Sequence, residues 1–267
     1  MEHNGELAIR LTAALGVFGA MALWEFLAPR RTLAVGRLRR WPSNIALVAI
    51  YGLLERILIP VAAVGVAALA AQRGFGLLNL AAAPAWLQLL IGFVALDLAI
   101  YAQHVAFHKV PLLWRLHRMH HADLDIDVST GLRFHPLEIL LSMLIKMGVV
   151  ALLGVPVLAV IAFEVALNAT SMFNHSNAAM PARLDRIVRL LIVTPDMHRV
   201  HHSVVADETN SNFGFNLALW DRLFRTYRAQ PQAGHHGMTV GLPAFRAREE
   251  LRLDRMLSQP FRQDAPR

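Results

Sequence analysis

The sequence predicts an all-α protein, a polytopic transmembrane helical bundle carrying a histidine-rich cap on one side. Three observations predict it. Of 267 residues, 55% are hydrophobic and only 17% charged, and the mean hydropathy is +0.42, values too apolar for an ordinary soluble domain of this length. The apolar residues gather into runs long enough to cross a ~30 Å hydrocarbon core as helix. Five histidines, His104, His108, His117, His120 and His121, directly follow one such run, and His198, His201 and His202 lie beyond the last.

Cysteine is absent, which excludes disulfides, cysteine-ligated iron–sulfur clusters and thiolate-ligated haem, while leaving the redox compartment open. A net charge of +7 would suit nucleic acid in a soluble protein. Here the arginines flank apolar spans, where topology and anionic headgroups account for them, and no nucleic-acid partner is expected.

Taken in order, the first apolar run covers residues 7–27, interrupted by Arg10. Glu2 and Glu6 precede it in place of a basic segment, so a cleaved signal peptide is not expected. Residues 30–40 hold five arginines, Arg30, Arg31, Arg37, Arg39 and Arg40, which puts this loop on the cytoplasmic side and the N-terminus opposite. A second span, 44–71, is broken by Glu55 and Arg56, and the loop 72–85 carries one arginine. A third span, 86–103, returns to the cytoplasm and delivers His104 there. The fourth stretch, 137–173, contains Gly154-Val155-Pro156, and proline breaks or kinks a helix. A helical hairpin results, entering and leaving on one side, which keeps all the histidine groups and the C-terminus cytoplasmic. From Arg183 the chain turns basic and interfacial. Residues 1–85 form an N-terminal transmembrane region, 86–245 a catalytic region and 246–267 a charged tail, all within one domain.

At helical pitch, positions i, i+3 and i+4 share a face. HRMHH (117–121) and HRVHH (198–202) therefore each present a patch of imidazole, and HVAFH (104–108) an i, i+4 pair. Such groups are costly beside a bilayer unless they bind something. Neutral imidazole suits iron, copper, zinc and nickel, and more than four ligands exceed what one tetrahedral zinc uses. The spacing points to two metals. HVAFH lacks the glutamate of a zinc hydrolase, and a bis-histidine haem leaves the adjacent pairs unexplained. Two irons, each with four or five nitrogens and an open position, fit the count best. A zinc carrier or sensor without oxidase activity is the alternative. His3, His235 and His236 read as bystanders, and His135 and His175 as either ligands or packing residues.

The motifs HVAFH (104–108), LWRLHRMHH (113–121), FHPLE (134–138), FNHSN (173–177), TPDMHRVHHS (194–203) and NFGFNLALWDRLFRTY (212–227) together resemble the fatty acid hydroxylase/sterol desaturase superfamily of integral membrane di-iron enzymes. The resemblance covers residues 90–245. It implies that the histidine boxes bind two irons that activate dioxygen against a lipid C–H bond. Carried over, the ligands are His104, His108, His117, His120, His121, His198, His201 and His202, with His175 as a further ligand and His135 as a candidate. The substrate is then a sterol, fatty acyl or related lipid, hydroxylated or desaturated. Zinc is expected to replace iron on purification. Electrons come from an external ferredoxin or cytochrome b5-like donor, docked on Arg115, Arg118, Arg183, Arg186, Arg189 and Arg199 unless those arginines contact headgroups instead.

Supporting residues follow from spacing. Asp97 and Tyr101 lie seven and three residues before His104, where a carboxylate could orient a ligand imidazole through its distal N–H. Asp207, Asn212, Asn216 and Asp221 are candidates for the same service to the second group, or for ordinary capping.

Overall fold

The computed structural model describes residues 3–81 and 83–263, with side chains from residue 8 onward. The side chain of His3, with Glu2 and Glu6, lies outside the described residues. Five helical segments are long and apolar enough to cross a membrane. They comprise α1 (His3–Leu27), then α2 (Arg37–Leu58), α3 (Ala62–Arg73) and the short α4 (Leu77–Leu80) in series, then α5 (Ala85–Lys109). After α6 (Pro111–His121) come α7 (Pro136–Leu153) and α8 (Val157–Asn174). The described residues contain no strand, only isolated bridges such as Ser203 with Val240.

Local chemistry explains the boundaries. The second span breaks after Leu58, not at Glu55 and Arg56, because Pro60 cannot continue the helix. Glu55 and Arg56 stay helical and turn inward and outward respectively. α7 stops at Gly154, which takes the left-handed conformation (φ 66°) that glycine adopts without penalty. Pro156 then precedes α8, completing the expected hairpin. Gly154 also meets the α3–α4 loop so closely that a Cβ on Gly76 would lie 2.3 Å from the Gly154 nitrogen.

That contact marks one end of the bundle, where Gly92 of α5 packs on Val155 and Ala159. Every cap element sits at the other end. There the Glu25 carboxylate at the end of α1 accepts from the Val128 and Asn177 amides at 2.6 and 2.8 Å. Lipid offers helices no hydrophobic drive to associate, so close approach by small residues matters more. Ala63 and Ala67 of α3 fill this role in a core with Leu96, Ile100, Val150 and Phe163. Leu15, Leu23, Leu53, Leu144, Leu152 and Leu158 face outward, as lipid-facing positions do.

The cap is built differently. After α6, the loop 122–135 wraps Arg40, which is completely buried. Arg40 donates to both Asp123 oxygens at 2.7 and 2.8 Å, to Asp127 at 2.5 Å and to Thr130 Oγ1 at 2.9 Å. Burial alone would raise the Asp123 carboxyl, but the Arg40 and Arg133 guanidiniums hold it down to about 2. The described part of the charged C-terminal tail packs on the cap. Met256 is buried against Leu47 and Met119, and the Arg118 guanidinium donates to the Gln259 and Arg262 carbonyls at 2.5 Å.

Candidate metal centre

The C-terminal ends of three helices and one short helix deliver nine histidines to a single place. His104 and His108 occupy the last turns of α5, and His117, His120 and His121 the end of α6. His175 caps the C-terminus of α8. Among the short helices that follow are α9 (Ala182–Val188) and α10 (Pro195–His201), which carries His198 and His201 and ends on His202. Thr194 caps α10 by accepting from the Met197 amide, with Pro195 in the first turn, a strong local start signal.

The nine fall into two groups: His104, His108, His117, His121 and His201, and His120, His175, His198 and His202, the candidate donor nitrogens of each within 4.8 Å of one another. Each HxxHH box is split between them. Positions i and i+4 of the first box (His117, His121) join one group and i+3 (His120) the other, while the second box does the reverse. The shared face expected from pitch is thus the seam between two sites. The groups adjoin, with the His121 and His202 rings stacked at 4.5 Å.

The donor set fits metal ions. His117 Nε2 lies 3.1 Å from His104 Nε2 and 3.2 Å from His121 Nε2, and His175 Nε2 lies 3.1 Å from those of His120 and His198. Donors ~2.1 Å from a common ion sit roughly 3.0–3.4 Å apart. The buried Nε2 atoms of His108, His201 and His202 also lack any hydrogen-bond partner, a costly arrangement unless a cation takes their lone pairs. Burial, reinforced by neighbouring imidazoles, pushes His120, His121, His198 and His202 well below the usual histidine range. Burial likewise lowers His175 to about 4 and His201 to about 3. These six rings are therefore neutral at pH 7, the state a metal needs.

Outer partners fix the rings. Through Nδ1, His104 donates to the Phe213 carbonyl (2.7 Å), His201 to Ser211 (2.7 Å), His175 to Ser171 (2.6 Å) and His120 to Arg133 (3.1 Å). His117 Nδ1 donates to Glu138 Oε1 at 2.7 Å. Each bond selects the tautomer that leaves Nε2 free and aimed inward. Phe134 stacks on His120 at 4.5 Å and Phe215 lies 5.0 Å from His104, so apolar rings wall the site.

Several sequence expectations are corrected by this geometry. His135 lies outside both groups: its Nδ1 caps α7 by accepting from the Leu137 amide and its Nε2 faces the Leu257 carbonyl at 3.2 Å. Asp97 does not reach His104. Two turns span ~10 Å, and its carboxylate instead accepts from Trp220 Nε1 at 2.8 Å and the Leu217 amide at 3.3 Å. Tyr101 bonds Thr226 at 2.9 Å. Both hold the 212–227 segment against α5. Asp221 accepts from the Phe213 and Gly214 amides at 2.8 and 2.9 Å, which steadies the carbonyl that receives His104. Asn212 donates to the Met197 and Arg228 carbonyls, both at 2.8 Å, tying α10 to the same segment, and Asn216 bonds Thr170. Asp207 is exposed at the surface and touches no histidine. His235 is buried beside Asp196 at 3.5 Å rather than solvated, whereas His236 is exposed. Of the six arginines expected to dock a partner, Arg118, Arg189 and Arg199 are buried.

Pitch could not have found Glu138, which is 21 residues from His117, nor the backbone acceptors. The only signal was an acid in the first turn after Pro136 within FHPLE.

The comparisons agree with this geometry. The chain is 30% identical to the ornithine lipid hydroxylase OlsE of Rhizobium tropici over 179 residues, 67% of this chain and 51% of that one. It is 27% identical to the alkylglycerol monooxygenase of Homo sapiens over 154 residues (57% and 33%) and 28% identical over 146 residues (54% and 48%) to a Rattus norvegicus protein named cholesterol 25-hydroxylase. It thus spans at most about half the length of these relatives. No solved structure matches it. Residues 89–226 match the fatty acid hydroxylase family; they cover more than half of the chain and include all nine clustered histidines, so this chain belongs to that family.

Proposed function

We propose that the protein is a membrane-bound, non-haem di-iron oxygenase that hydroxylates, or desaturates, a lipid such as a sterol or fatty acyl chain, using dioxygen and external electrons. One observation carries the reading: of two adjoining, carboxylate-free imidazole groups, the first lines a cavity inside an apolar bundle through His104 and His117. The relatives, all named as lipid hydroxylases or monooxygenases, support it.

In this reading His104, His108, His117, His121 and His201 hold one iron and His120, His175, His198 and His202 the other, within the catalytic region 86–245. Iron supplies the dioxygen and electron chemistry needed at an unactivated C–H bond. The protein does the rest. Glu138 and the carbonyls of Phe213, Ser211, Ser171 and Arg133 hold the rings in one tautomer. The aromatic wall excludes water, and the cavity fixes one stretch of lipid beside the metals. The exposed Arg115, Arg183 and Arg186 offer a basic face for an acidic ferredoxin or cytochrome b5-like donor. The five-arginine loop supports a cytoplasmic cap, tested with a reporter fused after Arg228.

The deciding experiment is anaerobic iron loading of the purified protein, followed by oxygen uptake with a reductant and lipidomics of host cells with and without the gene. A lipid gaining one oxygen atom, or losing two hydrogens, is expected. Two tightly held zinc ions with no oxygen uptake after iron exchange would favour a metal carrier instead.

A further inference from the structure

The cavity beside the histidines has a second end. Its volume is about 200 Å3, and its wall includes Arg10, Glu55, Lys146 and Glu164 as well as His104 and His117. These four ionisable groups come from α1, α2, α7 and α8, all inside candidate membrane spans, where charge is expensive and commonly functional. On α7, Glu138, Ser142 and Lys146 follow one another at four-residue spacing along the cavity. Lys146 therefore lies ~12 Å along the axis from the residue that holds His117. Apolar side chains, among them Ile100, Phe107, Met143, Leu167 and Phe215, line the same wall.

The hydrogen bonding at this end is lopsided. Glu164 accepts from both cations, from Arg10 at 2.5 Å and from Lys146. Glu55 faces the same three charges, yet its Oε1 is buried without a hydrogen-bond partner. Gln103 donates to Ser142 at 3.0 Å, and its own Oε1 is likewise buried and unpartnered. The two cations and two carboxylates balance in charge, but a pure ionic staple would also pair both carboxylates, and here both cations bond Glu164. A carboxylate oxygen of Glu55 and an amide oxygen of Gln103 are left over, and a buried acceptor without a donor is unfavourable.

Building on the oxygenase reading, we infer that this cluster seats the polar end of the lipid substrate, and that this end donates hydrogen bonds through a hydroxyl or ammonium group received by Glu55. The chain then lies along the apolar wall toward His104 and His117. An anionic headgroup is disfavoured, because both cations are already committed to Glu164 and Glu55 would repel it. The oxidised carbon is consequently set by its distance from the polar end and not from the methyl end.

The test is binding of palmityl alcohol, palmityl amine and palmitate to the full chain in detergent micelles, read by competition in native mass spectrometry. The alcohol and the amine are expected to bind about tenfold tighter than palmitate. Glu55→Leu should remove that preference. Glu55→Gln, which keeps an acceptor and the side-chain volume, should retain the alcohol and weaken the amine, separating lost recognition from lost folding. Palmitate binding as tightly as the alcohol, or an intact preference in Glu55→Leu, would overturn the assignment. These readings do not depend on turnover. In iron-loaded protein, lengthening the alcohol should leave the modified carbon at the same count from the hydroxyl. A position counted from the methyl end sinks the anchor alone, whereas intact binding preference with no oxygenation of any lipid sinks the oxygenase reading and leaves the subsite standing.

Discussion

Removing the carboxylate behind His117 gives the sharpest test of the centre. Glu138 Oε1 accepts from His117 Nδ1 at 2.7 Å, and both residues are buried, at 3% and 1% exposure. Glu138→Ala leaves the imidazole N–H without an acceptor and the ring free to turn, while His104, His108, His121 and His201 remain. Loss of such an outer partner typically weakens metal binding by about 10–100-fold, or about 1.5–3 kcal/mol. The penalty should fall on one metal only, because Glu138 touches no member of the His120 group. Glu138→Gln keeps an acceptor oxygen without the charge and should cost less than Glu138→Ala. Chelator competition under anaerobic conditions, with metal content by mass spectrometry, reads both affinities. Unchanged affinity for both metals in Glu138→Ala, or loss of both together from a protein that keeps its melting temperature, would refute the reasoning.

Three further outcomes follow from the same geometry. His117→Ala and His120→Ala should each leave about one metal per chain, with different metals lost, and the double variant none; a single substitution that empties both sites would show that the split of the boxes is wrong. His135→Ala should keep both metals and lower stability by about 1 kcal/mol through the lost helix cap, with His135→Asn restoring most of it in a thermal melt. Arg40→Met strands Asp123 and Asp127 in the cap and should destabilise by about 3–5 kcal/mol, visible as a lower melting temperature; an unchanged melt would mean that this network does not hold the cap.

The amino-acid pattern alone determined the all-helical class, the hairpin at Gly154-Val155-Pro156 and eight of the nine histidines that gather in the two groups. Each of these is a local property. Run length sets a span, a glycine–proline pair sets a break, and imidazoles at i, i+3 and i+4 declare themselves within two turns. His175 and His135 could not be told apart in this way, since each stands alone between polar or aromatic neighbours. One proved to meet His120 and His198 across the fold, while the other only caps its own helix. Tertiary structure alone decided how the boxes divide, because a helix face says what is adjacent and not which side of a seam each residue takes. It also reassigned Asp97 from His104 to Trp220, brought Glu138 to His117, and gathered Arg10, Glu55, Lys146 and Glu164 at one cavity end. These partners are separated by tens of residues or more, and a short polar side chain reaches only a few ångströms. Its role is therefore fixed by which helices pack together, something no local spacing encodes.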